Sequence, residues 1–253
     1  MWRLPGALVP AIFAGTNQNH QPKKETDMKF DQQKMASRRK FLGAFATGAA
    51  AVGAATLANP IKAAGNGLRI SSGHGIEDWF KQIKGEHRIV FDAPEFNHGM
   101  PLAFPRVFQI TNNGAGVENK DLGIVIVFRH NAIPLALNSK MWEKYKLGEV
   151  FGINDPVTDK PSTRNFFWQP KAGALEIPGM GINELQDTGV MFCGCEMAIL
   201  HYSGVVAKKM GLDHETVRKE WLSEMLPKVQ PVPSGVFAVN RAQEHGCTYC
   251  FAG

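Results

Sequence analysis

The sequence predicts an α/β protein in which a mostly parallel sheet of about five strands is covered on both faces by helices. Two observations carry this expectation. From residue 88 to the end, short apolar runs of strand type alternate with segments whose apolar residues recur at helical spacing. The run Leu122–Phe128 reads LGIVIVF and lacks polar alternation, as expected of a central strand buried on both faces.

Taken in order, residues 88–93 form a short apolar run that Pro94 ends, and read as the first strand. Residues 99–112 place Met100, Ala103, Phe104, Val107 and Phe108 at helical spacing, with Pro101 tolerated in the opening turn. The Asn112-Asn113-Gly114 stretch breaks that helix, and the buried strand 122–128 follows. Residues 133–137 and 139–146 read as helical. The segment 189–195 is the next strand, and a helix over 196–210 ends at Gly211. Asp213 is an N-cap candidate for a further helix to about residue 226. Residues 229–232, a helix over 234–245 and a last strand over 247–251 complete the pattern. One long irregular stretch, 148–177, interrupts it and contains the cluster Phe166-Phe167-Trp168. A loop of that length in a compact domain is usually functional or disordered, and its aromatic residues favour function.

Residues 1–64 stand apart. They hold nine of the 28 Lys and Arg but three of the 23 Asp and Glu, which leaves 19 basic and 20 acidic residues in 65–253. The body is therefore near neutral, and a nucleic-acid partner suggested by the overall charge of +5 loses its basis. Ser37-Arg38-Arg39-Lys40-Phe41-Leu42, a weakly hydrophobic Ala/Gly-rich stretch and small residues at 63–64 resemble a twin-arginine export signal, cleaved after Ala63 or Ala64. An anchoring helix is the alternative, and the Gly and Ala content makes the segment too weakly apolar for it. The residues before the paired arginines read as an over-long start, with Met28 or Met35 the expected initiators. The expected partner is the twin-arginine translocase and the expected destination the periplasm, where disulfides persist. The remaining 65–253 suffice for one domain, with no apolar run long enough for a stable membrane span.

All four cysteines lie from residue 193 onward: Cys193, Cys195, Cys247 and Cys250. Cys193 and Cys195 are two apart on a strand, so their side chains are expected on one face. Cys195 falls where that strand meets a helix. A thiol there faces the positive end of the helix dipole and unpaired backbone N–H groups, which favour the nucleophilic thiolate. Carboxyl ends of parallel strands are also where ligands bind. Cys195 is thus the first functional candidate, with Cys193 either a packing residue or the thiol that resolves it. Two alternatives stay open. The C-x-C and C-x-x-C pairs could be structural disulfides, or all four thiolates could hold zinc or an iron–sulfur cluster. His130 directly follows the buried strand and is expected at the same sheet edge as Cys195, as a substrate contact or a structural histidine. Phosphate-loop, dinucleotide, zinc-protease and serine-hydrolase signatures do not occur.

Gly189-Val190, Phe192 and Cys195, then a helix, then Leu226-Pro227-Lys228-Val229, Val232-Pro233-Ser234-Gly235-Val236 and Ala242-Gln243-Glu244 before a short last strand, resemble the DsrE-like proteins and their exported branch. The upstream strand ending in Arg129-His130 fits the same pattern, so the resemblance covers most of 86–253. It implies a three-layer α/β sandwich and a homo-oligomer, often trimeric or hexameric. It also implies that Cys195 accepts sulfur as a persulfide, exchanged with a donor or acceptor protein and without a cofactor. Arg129, His130 and Arg164 are the expected substrate contacts, with the 150–170 loop as a cover. The chain departs from the pattern in adding Cys193, Cys247 and Cys250, in its longer loop, and in carrying an export signal where sulfur-relay members are cytoplasmic.

Overall fold

The computed structural model describes residues 75–253, which belong to one compact unit. The expected export signal, with its arginine pair and expected cleavage point, lies outside the described residues. Five strands form one sheet in the order β4-β3-β2-β1-β5, and every pairing is parallel. They are β1 (His87–Ala93), β2 (Leu122–Phe128), β3 (Met191–Cys195), β4 (Val229–Val232) and β5 (Thr248–Phe251). All seven residues of β2 are buried. Its odd and even positions enter separate apolar clusters, because successive side chains leave opposite faces.

The helices are α1 (Ile76–Phe80), α2 (Met100–Gly114), α3 (Ser139–Lys144), α4 (Leu147–Phe151), α5 (Ile182–Asp187), α6 (Glu196–Met210), α7 (His214–Ser223) and α8 (Gly235–Glu244). Three successive steps, β1 to β4, move the same way across the sheet. Right-handed crossovers must then lay α2 through α7 on one face. Leu102, Trp142, Leu185, Ile199 and Trp221 duly pack there with Ile124, Ile126 and Phe128. The last step runs back past three strands to the far side of β1, so the same handedness sends α8 to the other face. There Ala238 and Ala242 meet Val125, Val127 and Cys193, together with Ile76 and Phe80 of α1. The result is the expected α/β sandwich of three layers. No helix of the described residues is long and apolar enough to cross a membrane.

The structure differs from the sequence expectation mainly in short elements. Helices α1 and α5, of five and six residues, are too short for a periodic signal. The segment after β2 is a 3₁₀ helix, His130–Ala136. The long irregular stretch starts later and runs further than 148–177. Helix α4 occupies its head, set between left-handed Lys146 and Gly152, and irregular backbone continues to Gly181. Asn165 pins the stretch by donating from Nδ2 to the Leu135 and Leu137 carbonyls at 3.0 and 2.9 Å, while Phe166 and Phe167 enter the core.

Candidate functional site

Strand β3 passes into α6 without a loop. Cys195 keeps extended backbone and caps the helix, its Sγ accepting the Ala198 N–H at 3.3 Å. It pairs in register with Val232, the last residue of β4. Two residues on, Ser234 caps α8 by accepting the Phe237 N–H on Oγ at 3.2 Å. Helices α6 and α8 therefore leave neighbouring strands for opposite faces, and their carboxyl ends part there. This is the crevice in which open parallel sheets bind ligands. The N-terminus of α6, favourable to negative charge, thus faces the Cys195 sulfur.

Arg129 leaves the end of β2 beside this crevice. Its Nε and Nη2 donate to the two carboxylate oxygens of Asp92 at 2.6 and 2.9 Å, and the Tyr249 hydroxyl donates to the same carboxylate at 3.0 Å. Asp92 is 4% exposed. The Asp92 hydrogen bond holds Arg129 above its ordinary pKa against the opposing effect of burial. The charges of Asp92, Tyr249 and Cys195 add to this in turn, so the guanidinium lies within the field of the Cys195 sulfur. Gly235 makes room for it: a Cβ there would stand 2.5 Å from the Cβ of Arg129. Sequence reading singled out Arg129 but missed Asp92, Tyr249 and Gly235. An aspartate inside the apolar run Ile89-Val90-Phe91-Asp92-Ala93 was the available signal.

Cys193 and Cys195 do not share a face as expected. Alternation holds at Cys193, which is fully buried with Val127, Val232 and Ala238. Cys195 turns out of the strand to cap α6 and joins the opposite cluster. Burial, with the Cys195 charge as a lesser cause, pushes the Cys193 thiol far above its ordinary pKa. A proton held that firmly suits packing rather than attack on another sulfur.

The cysteine quartet does not assemble. Strands β2 and β1 separate β5, which carries Cys250, from β3, a span of about 14 Å at the ordinary strand spacing. Cys247 lies just before β5, where burial, opposed by Arg88, pushes its thiol up to about 11. Among the described residues, no group of three or more His, Cys, Asp or Glu side chains is placed to hold a metal ion. The zinc or iron–sulfur alternative therefore lacks its ligand set. The disulfide alternative is likewise absent, since all four cysteines are free thiols.

His130 is exposed and turns to Glu95, with 3.3 Å between Nδ1 and Oε1, and its ring meets Tyr202 edge-on at 5.8 Å. Asn131 donates to the same Glu95 at 2.8 Å and accepts from the Tyr202 hydroxyl. His130 thus joins a polar cluster between β1, β2 and α6, with partners other than those of the Arg129–Asp92 pair. Arg164 pairs with Asp155 of its own loop, its Nη2 at 3.0 Å and Nε at 3.1 Å from Oδ2. That loop lines a separate cavity of about 630 Å³ with Glu95, Phe96 and Phe151, and the cavity wall does not include Cys195. The expected cover over the cysteine is instead the wall of another space.

No family model matches the chain, and no curated protein matches it significantly. Among solved structures, the chain is similar to a protein of unknown function from Methanobacterium thermoautotrophicum. The two share 18% identity over 65% of this chain and 98% of that one, with a TM-score of 0.34.

Proposed function

We propose that this protein is a DsrE-like sulfur carrier that holds sulfane sulfur as a persulfide on Cys195. The Cys195 thiolate attacks the outer sulfur of a donor persulfide R–S–SH. A new S–S bond forms on Cys195, the donor's S–S bond breaks, and R–S⁻ leaves, so that no net oxidation occurs. Attack by an acceptor thiolate on the outer sulfur of the Cys195 persulfide reverses the process. The single observation that supports this reading is the seat of Cys195 at the crevice between β3 and β4. Its sulfur accepts a helix N-terminal N–H there, within the field of Arg129. An anion at that point, thiolate or persulfide, meets the α6 N-terminus and the field of the Arg129 guanidinium. The resemblance further makes the protein a periplasmic homo-oligomer exported by the twin-arginine translocase.

The test is loading of reduced protein with sodium tetrasulfide, read by intact mass before and after dithiothreitol. The wild type should gain one reducible sulfur atom that maps to Cys195, and Cys195→Ser should gain none while keeping its circular dichroism. A Cys195→Ser protein that still loads at the wild-type level would overturn the proposal. Size-exclusion elution at the monomer position would remove the oligomer, and fractionation to the cytoplasm the export.

A further inference from the structure

The cavity beside the long loop has a chemical character of its own. Its inner wall is made of Phe166 and Phe167, both buried, with Phe96 and Phe151. Around these stand four carboxylates, Glu95, Asp155, Asp159 and Glu176, and no lysine or arginine side chain lines the space. The Arg164 pair neutralises Asp155, and Glu95 is shared with His130. Asp159 accepts one bond from the neutral Asn154 amide. Among the described residues, neither Asp159 nor Glu176 has a cationic partner within ion-pair distance. Aromatic faces under uncompensated negative charge attract a cation twice over, through the ring quadrupole and through the carboxylates.

The backbone shows what holds this wall. Asn97, His98 and Gly99 are three consecutive residues with positive φ, at 36°, 52° and 88°, between β1 and α2, and two of them line the cavity. Left-handed Asn and His cost conformational energy that the surroundings must impose. Gly99 has no room for a side chain, since a Cβ would come within 2.6 Å of the Phe167 ring. Phe167 is thereby clamped between the strained turn and the long loop, and the cavity is a formed feature of the fold.

We propose that this cavity is a second binding site, for a small organic cation with an apolar body, such as an arylalkyl ammonium. The ring or chain lies on Phe96, Phe166 and Phe167, and the ammonium faces Asp159, Glu176 and Glu95. This site does not depend on the Cys195 reading, because Cys195 forms no part of the cavity.

Calorimetric titration of the full chain with three probes of one shape tests it: 3-phenylpropylamine, 3-phenylpropionate and 3-phenylpropanol. The amine should bind about tenfold tighter than the acid, with the alcohol between them, and its affinity should fall as salt is raised. Asp159→Asn combined with Glu176→Gln, both exposed and safe for folding, should weaken the amine about fivefold and leave the alcohol unchanged. Cys195→Ser should bind the amine like the wild type, which separates this site from sulfur loading. Equal binding of acid and amine, no amine binding at millimolar concentration, or an unaffected double variant would each overturn the proposal.

Discussion

Asp92 shows how one side chain can be legible and its role not. A carboxylate inside an apolar strand announces itself in the sequence, but its partners come from β2 and β5, and the register that joins them is written nowhere locally. Removing one member of so buried a pair leaves the other uncompensated. Arg129→Met should therefore cost about 3 kcal/mol in urea unfolding. Tyr249→Phe should cost only about 1 kcal/mol, since Asp92 keeps both bonds from the guanidinium. The cysteines separate in the same way. Their spacing suggested a set, whereas burial makes reluctant acids of Cys193, Cys247 and Cys250 and raises the first two most. Their folded-state pKa values lie above the ordinary 9.0. Unfolded chains thus release these protons above about pH 9 while folded ones retain them, and the stability due to the protonated thiols is lost as pH rises toward 11. Alkaline unfolding should be shallower in Cys247→Ala over that window.

Helix caps were readable where a cap residue precedes a periodic run. Asp213 caps as its position suggests, accepting the Thr216 N–H at 2.8 Å, and Ser234, expected as the first residue of its helix, proves to be the cap of α8. Ser234→Ala should cost about 1 kcal/mol. Gly235→Ala, one residue later, should cost more than a cap alone because its methyl collides with Arg129, and its urea midpoint should fall below that of Ser234→Ala. Contacts between elements were not readable. Glu220 of α7 accepts from Lys144 of α3 and from the Tyr145 hydroxyl, and the Lys144 hydrogen bond, followed by that of Tyr145, holds its carboxyl below the ordinary 4.5. A lowered carboxylate pKa stabilises the fold above the ordinary value, and that contribution disappears as pH falls through the lowered one. Glu220→Gln should be less stable than the wild type at neutral pH and should flatten the acid limb of the stability profile. The short helices α1, α4 and α5 left no trace because a single turn or two cannot show a period.

The alternation of strands and helices sufficed for the class of fold, and the handedness of crossovers then dictates which helix covers which face. Strand order did not follow from the pattern, because the last strand can join a sheet at either edge. Its arrival beside β1 is what sends α8 to the far side and opens the crevice at Cys195. That same reversal makes the layers unequal. Six helices shield one face, while among the described residues only α1 and α8 shield the other. Amide hydrogens of α8 should consequently exchange with deuterium faster than those in the middle of α6, since a cover of two helices lifts with fewer contacts to break. Cys193 lies directly beneath that cover. Its rate of trapping by iodoacetamide would then report how often the lid opens, and an oxidant would reach this thiol only during those brief excursions.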